Sequence, residues 1–215
     1  MPKKTFFHLS EEKQQRLLEA ASIEFSRTPL KEASIANIVK LAEIPRGSFY
    51  QYFEDKEDLY YYYFESLRQD SKKNIEKCIK EADGELFEGM TVYFSKMIFD
   101  VLIGEHAAFY QNLFMHMDDQ VYSRVFPKFS TNSKKGEHWQ KKCHGYKIYK
   151  AINFSNLTIH GEKEFKLLMQ MLMNSVYSSI VEGYRQLEKN PQYDIEQIVE
   201  NFKIKLNWLK NGVYQ

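Results

Sequence analysis

Between Ser34 and Lys56 the apolar positions fall into two short helical runs. Ile35, Ile38, Val39 and Ala42 stand at i, i+3, i+4 and i+7, one buried face of a helix that Ser34 can cap. Glu43-Ile44 breaks the run, and Pro45, with no N–H to lose, suits the first turn of a second helix. There Phe49 and Phe53 lie four apart and pack inward, leaving Arg46, Gly47, Ser48, Tyr50, Gln51 and Tyr52 outside. Two short helices joined by a tight turn predict a helix-turn-helix.

The same periodicity organises the rest of the chain. Ser10, followed by Glu11 and Glu12, opens a first helix whose buried face is Leu17, Ala21 and Phe25. Asp55, with Asp58 three residues on as in a capping box, opens a long helix to about Ala82 that carries Leu59, Phe64, Leu67, Ile75 and Ile79. Two helices parted at Gly104 are expected between Glu85 and Met117, and two more at Gly161–Leu187 and Asp194–Leu209 around the Asn190-Pro191 turn. Residues 127–160 break the pattern at Pro127 and through 130–136; a helix over Glu137–Ala151 and a turn at Asn153–Asn156 are expected there, in the least regular part of the fold. Residues 1–9 read as a short arm whose Lys3 and Lys4 either touch phosphates or stay solvated.

Five prolines and nine glycines in 215 residues leave an almost all-α chain. Cys78 and Cys143 give no disulfide framework, and no apolar run approaches the roughly 20 residues a membrane span needs, so a cytoplasmic protein with no membrane partner is expected. Charge argues less directly. The net is +1, and residues 1–60 hold nine Lys/Arg against ten Asp/Glu, so DNA binding requires Lys3, Lys4, Arg46 and Lys56 to cluster on one face.

The outward residues of the second short helix suit a DNA groove. Arg46 offers a guanidinium fork to guanine O6 and N7, Gln51 can serve adenine or a phosphate, and Gly47 lets the backbone approach the duplex. Tyr50 and Tyr52 suit phosphates, which fix register without reading sequence, and Lys56, in the first turn of the next helix, suits another. With Ser34 and Ser48 these form the expected DNA-binding set: Ser34, Arg46, Gly47, Ser48, Tyr50, Gln51, Tyr52 and Lys56.

Phe25, Ile38, Ala42, Gly47, Tyr50, Tyr52, Phe53, Lys56 and Leu59 at these spacings resemble the N-terminal domain of TetR-family transcriptional repressors, over roughly residues 9–65. Two departures bear on turn geometry: Glu43 stands where the family usually has glycine, and Pro45 where it usually has a capping Ser or Thr. The resemblance implies a three-helix helix-turn-helix domain at 1–54 joined to a larger helical ligand-binding and dimerisation domain at 55–215. It also implies a repressor that holds a palindromic double-stranded DNA operator as a homodimer and is released by a small apolar effector.

Such proteins sense small molecules in their second half, where Met and aromatic residues are dense here between Phe87 and Met115; ordinary core is the plainer reading of that density. Phe94, Met97, Phe109, Phe114 and His116 are the candidate effector contacts. The last two helices carry apolar stripes wider than one face, which a homodimeric four-helix interface would bury, and Leu168, Leu172, Val176, Ile180, Phe202 and Leu206 are its candidate residues.

His106, His116 and the His138, Cys143, His144 group raise a haem or metal effector, but the spacing matches no usual zinc pattern, and no metal or cofactor is expected. No phosphate loop, triad order or carboxylate pair points to an enzyme, and Asp118-Asp119 reads as a helix start. The acidic balance of residues 1–60 keeps open an alternative, a helical ligand-binding or scaffold protein without DNA binding.

Overall fold

The computed structural model describes residues 2–126 and 144–212. Their helices are α1 (Lys4–Phe7), α2 (Glu11–Arg27), α3 (Ile35–Leu41), α4 (Arg46–Tyr52), α5 (Lys56–Glu81), α6 (Leu86–Ile103), α7 (Ala107–Met115), α8 (Asp119–Val125), α9 (His144–Ala151), α10 (Glu162–Lys189) and α11 (Ile195–Asn211), with a single 3-10 turn at Phe154–Asn156. No strand occurs among the described residues, so the all-α expectation holds. The helix expected from Glu137 is present from His144; residues 137–143 lie outside the described residues.

The helices gather into two compact units, one holding residues up to Gln69 together with Ile103–His116, the other Asp70–Leu102 and the chain from Met117 onward. In the first, the head, α2 buries Leu17, Ala20, Ala21 and Phe25 as its spacing predicts and packs on α3, which in turn packs on α4; Ile38 of α3 and Phe49 of α4 are buried too. The packing of this unit extends past residue 54. Leu59, Tyr60, Tyr63 and Phe64 from the first half of α5 and Phe109 of α7 are buried in the same unit, and α7 lies along α2. Phe109 meets the rings of Tyr63 at 5.0 Å, Tyr60 at 5.2 Å and Phe64 at 6.5 Å. Asn112 fastens α7 by donating its side-chain N–H groups to the carbonyls of Phe25 (3.0 Å) and Ser26 (2.9 Å), which end α2.

In the second unit α10 and α11 pack along their length, and Phe202 stacks on Phe94 of α6 with ring centroids 3.8 Å apart. Asp194 and Asp118 cap α11 and α8, the latter accepting the Val121 N–H at 2.9 Å, so the Asp118-Asp119 pair is a helix start as its sequence suggests. Two glycines are required by geometry. Gly84 ends α5 at φ 83, where a Cβ would come within 2.7 Å of the Asn153 nitrogen, and a Cβ on Gly89 would lie 2.6 Å from the Ile79 Cα.

Candidate nucleic-acid interface

The turn between α3 and α4 forms although the residue that shapes it is not glycine. Beyond the end of α3, the Ile44 N–H donates to the Val39 carbonyl at 3.0 Å and the Glu43 N–H to the Lys40 carbonyl at 3.3 Å, the paired bonds of a Schellman motif. That motif needs a left-handed residue at Glu43, whose φ is 54. Glu43 therefore adopts the backbone a glycine would take more readily, which keeps the turn tight. Pro45 stands at the N-cap of α4 and accepts the Ser48 N–H at 2.9 Å through its carbonyl, so no capping hydroxyl is needed.

α4 shows one face to the protein and one to solvent. Phe49 and Phe53 are fully buried, with ring centroids 5.9 Å apart. Arg46, Gly47, Tyr50 and Gln51 are exposed, and Ser48 and Tyr52 half-buried. Among the described residues nothing engages the Arg46 guanidinium. A Cβ on Gly47 would meet no protein atom within 4 Å, so packing inside the chain does not call for glycine there. Ser34 and Lys56, the other members of the expected set, lie at the starts of α3 and α5, with Ser34 half-buried.

Those two residues have internal work. Lys56 Nζ donates to the carbonyls of Lys31 (2.8 Å) and Ala33 (3.0 Å), clamping the loop before α3. The Ser34 hydroxyl makes no cap bond; instead the Ser34 N–H donates to Glu24 Oε1 at 2.8 Å. Glu24 is a buried carboxylate that sequence reasoning missed. Its oxygens also accept from Arg27 Nη2 at 2.8 Å and Nε at 3.1 Å, and from Asn37 Nδ2 at 3.2 and 3.3 Å. Burial alone would raise this carboxyl, but the Arg27 hydrogen bonds and charge, the Ser34 N–H and the Asn37 amide outweigh it and hold it below its ordinary value. The signal in the sequence is one charged residue, Glu24, on the apolar stripe of α2 beside Phe25.

The N-terminal segment differs from the free arm expected of it. Phe6 is fully buried, and Lys3 and Thr5 are bound to the backbone of α4.

The five expected effector contacts divide between the two units. Phe94 belongs to the second unit, stacked and fully buried, with Met97 half-buried on the same helix, whereas Phe109, Phe114 and His116 belong to the head. In the second unit a cleft of about 290 Å³ is lined by Phe87, Leu157, Ile159, Leu168 and Leu209, with Glu85, Thr158 and Lys210 as its polar part. Glu85 and Lys210 form an ion pair there at 2.5 Å.

Most of the expected dimer residues are buried within the chain itself. Leu172, Val176, Ile180, Phe202 and Leu206 are buried within one chain and Leu168 lines the cleft, because a stripe at helical spacing marks the face a helix buries against its own neighbours. The uncovered face of α10 and α11 carries Leu167 (51% exposed), Met171 (51%), Ile204 (48%) and Trp208 (55%).

His106 lies 3.2 Å through Nδ1 from the Tyr63 hydroxyl, which donates to Ser22 Oγ at 2.7 Å, and His116 Nδ1 lies 3.2 Å from the Asn112 carbonyl. No group of three or more His, Cys, Asp or Glu that could hold a metal occurs among the described residues; His138 and Cys143 lie outside them. No described helix is long and apolar enough to cross a membrane.

The two parts of the chain match known families separately. The model described as bacterial regulatory proteins, tetR family, matches residues 17–63, and that described as tetracyclin repressor-like, C-terminal domain, matches residues 85–213. Among solved structures the chain is similar to the transcriptional regulator FadR from Bacillus subtilis in complex with stearoyl-CoA, with a TM-score of 0.59 and 17% identity over 93% of this chain and 99% of that one. It is similar also to a TetR family transcription regulator from Marinobacter aquaeolei VT8, with a TM-score of 0.55 and 16% identity over 92% and 95%. At these identities the likeness is one of fold. No curated protein matches the chain.

Proposed function

From the premise that this chain belongs to the TetR family of bacterial regulatory proteins, with its DNA-binding and ligand-binding domains, we propose that it is a homodimeric repressor released from its operator by a small effector. The observation that carries the DNA reading is the outer face of α4. Arg46 is exposed with no partner among the described residues, Gly47 leaves room that the protein itself does not use, and Phe49 and Phe53 hold the helix from beneath. Arg46 supplies base readout, with Gln51 beside it; Tyr50, Tyr52, Ser34 and Ser48 serve phosphates and register. Lys56 adds a positive charge while it holds the loop before α3.

The exposed apolar residues Leu167, Met171, Ile204 and Trp208 support pairing of α10 and α11 with those of a second copy. A two-fold dimer presents two copies of α4, so its operator is two-fold symmetric, with half-site centres about 34–36 Å apart or a multiple of that. Selection of bound sequences from random DNA tests this. A site without symmetry, or a monomer at micromolar concentration, overturns the dimeric reading. On the selected site, Arg46→Ala lowers discrimination at one base position by roughly 1–3 kcal/mol, whereas Lys56→Ala weakens all sequences alike. A change of base preference in Lys56→Ala alone sinks this placement of the reading helix.

The effector reading rests on the cleft of the second unit. Its volume, about 290 Å³, lies just below the roughly 300–1,000 Å³ typical of ligand sites. Apolar walls and the Lys210 ammonium suit an apolar molecule with one anionic group, which would take the place of Glu85 as partner of Lys210. The similar FadR structure is in complex with stearoyl-CoA, which joins a long apolar chain to a multiply anionic part. An effector releases DNA only by binding the released form better, and about 1.4 kcal/mol of such preference loosens the operator tenfold. The expected result is release by apolar carboxylates or acyl thioesters, weakened in Lys210→Met. Release by haem or a transition metal alone, lost in His106→Ala or His116→Ala, excludes this effector class.

A further inference from the structure

The end of α4 is closed by the N-terminal segment, and its hydrogen bonds can be accounted for one by one. A helix leaves its last four carbonyls without partners from its own regular repeat. In α4 these belong to Phe49, Tyr50, Gln51 and Tyr52. The Phe49 carbonyl accepts the Phe53 N–H at 2.9 Å as the chain leaves the helix. The other three are all taken by two residues near the N-terminus. Lys3 Nζ donates to the Tyr50 carbonyl at 2.8 Å, the Thr5 hydroxyl donates to the Gln51 carbonyl, and the Lys3 N–H donates to the Tyr52 carbonyl at 2.8 Å.

An aromatic anchor holds these donors in place. Phe6 is fully buried, with its ring centroid 5.1 Å from that of Phe53 and 5.3 Å from that of Tyr62. α1 thus bridges the end of α4 and the first turns of α5. A seven-residue helix is too short to be stable alone, and an ammonium at its carbonyl end meets the negative end of the helix dipole.

We propose that α1 is part of the DNA-reading element, with Lys3, Thr5 and Phe6 as positioning residues. They hold the last turn of α4, and through it Tyr50 and Gln51, at the angle at which that turn meets the groove. The inference rests on the DNA-binding reading above, and it gives Lys3 a different task from a cation that touches phosphate.

The full-length chain and three variants separate these tasks. Lys3→Met/Thr5→Val removes two of the three donated bonds and leaves Phe6 in place, Phe6→Leu keeps an apolar anchor of similar size, and Lys4→Met alters the exposed lysine next door. Each is measured for affinity to the site selected by the parent, for the salt dependence of that affinity, for base preference, and for amide hydrogen exchange along α3, α4 and α7.

In Lys3→Met/Thr5→Val, affinity is expected to fall by about tenfold with the salt slope unchanged, because the helix and no phosphate contact has been altered. Base preference broadens at the positions nearest the end of α4, and α4 amides exchange faster while those of α3 and α7 do not. Phe6→Leu shows the same pattern more weakly, and Lys4→Met leaves base preference and α4 exchange as in the parent, whatever it does to the salt slope. A salt slope lower by about one, with base preference and α4 exchange intact, makes Lys3 a phosphate contact and overturns the proposal. Parent-like behaviour of the double variant overturns it too. If the parent selects no DNA, the DNA-binding reading fails and this role fails with it; if the parent binds and the double variant is indistinguishable, only the role of α1 falls.

Discussion

Phe109→Ala is expected to destabilise the head by about 3–5 kcal/mol, the range for removing a buried aromatic ring whose surroundings cannot collapse. Phe109 has no exposed surface, and the rings of Tyr60, Tyr63 and Phe64 surround it within 6.5 Å. Those neighbours stand on one rigid helix and cannot all move into the space left behind. Urea-dependent amide hydrogen exchange along α2, the first half of α5 and α7 measures the change where it occurs. A loss below about 1 kcal/mol means that α7 is no structural part of the head. A change in effector affinity with stability intact returns Phe109 to the ligand-contacting role its sequence context suggests.

Glu24→Ala comes next in size. It leaves the Ser34 N–H and the Asn37 amide without their acceptor at the start of α3, at a cost of about 1–3 kcal/mol. Arg27 is over half exposed and returns to water, which keeps the loss below that of a fully buried ion pair. The carboxylate also links the head to pH. Its value in the folded chain lies below the ordinary 4.5, so its stabilisation is complete above about 4.5 and is lost as pH falls through the depressed value. Thermal unfolding of the parent and of Glu24→Gln should therefore differ most near pH 6 and converge in acid. A gap that stays constant down to acid pH shows that ionisation of Glu24 does not stabilise the fold.

Helix positions were legible because each buried face repeats at helical spacing: Leu17, Ala21 and Phe25 on α2, Ile38 on α3, and Phe49 with Phe53 at α4 are all buried as read. Spacing does not name the surface on the other side. Phe109 and Phe94 look alike in the sequence, yet one fills the head and the other stacks on Phe202. For the same reason Leu172, Val176 and Ile180 announce a buried face without naming what covers it, while the surface left open, Met171 and Trp208 among it, interrupts the pattern. Two short features carry no period at all. Phe6 and Phe7 are a lone apolar pair, and α1 emerges only when the carbonyls at the end of α4 need donors. Glu43 reads as a departure from a glycine pattern, but the bonds of Ile44 and Glu43 to α3 impose the left-handed turn on it.

The docking of α7 on α2 gives the head an order of assembly. Its core is discontinuous along the chain, with residues 70–102 belonging to the other unit between its two pieces. On a ribosome the first 69 residues emerge with Phe25, Tyr60, Tyr63 and Phe64 lacking Phe109, and Asn112 not yet present to hold the carbonyls that end α2. Closure over such a separation costs chain entropy before any packing rewards it, so the head completes late although it is encoded first. Nascent chains arrested before residue 107 should thus expose aromatic surface that a chaperone can hold, and a fragment cut at residue 69 carries the same open face into solution.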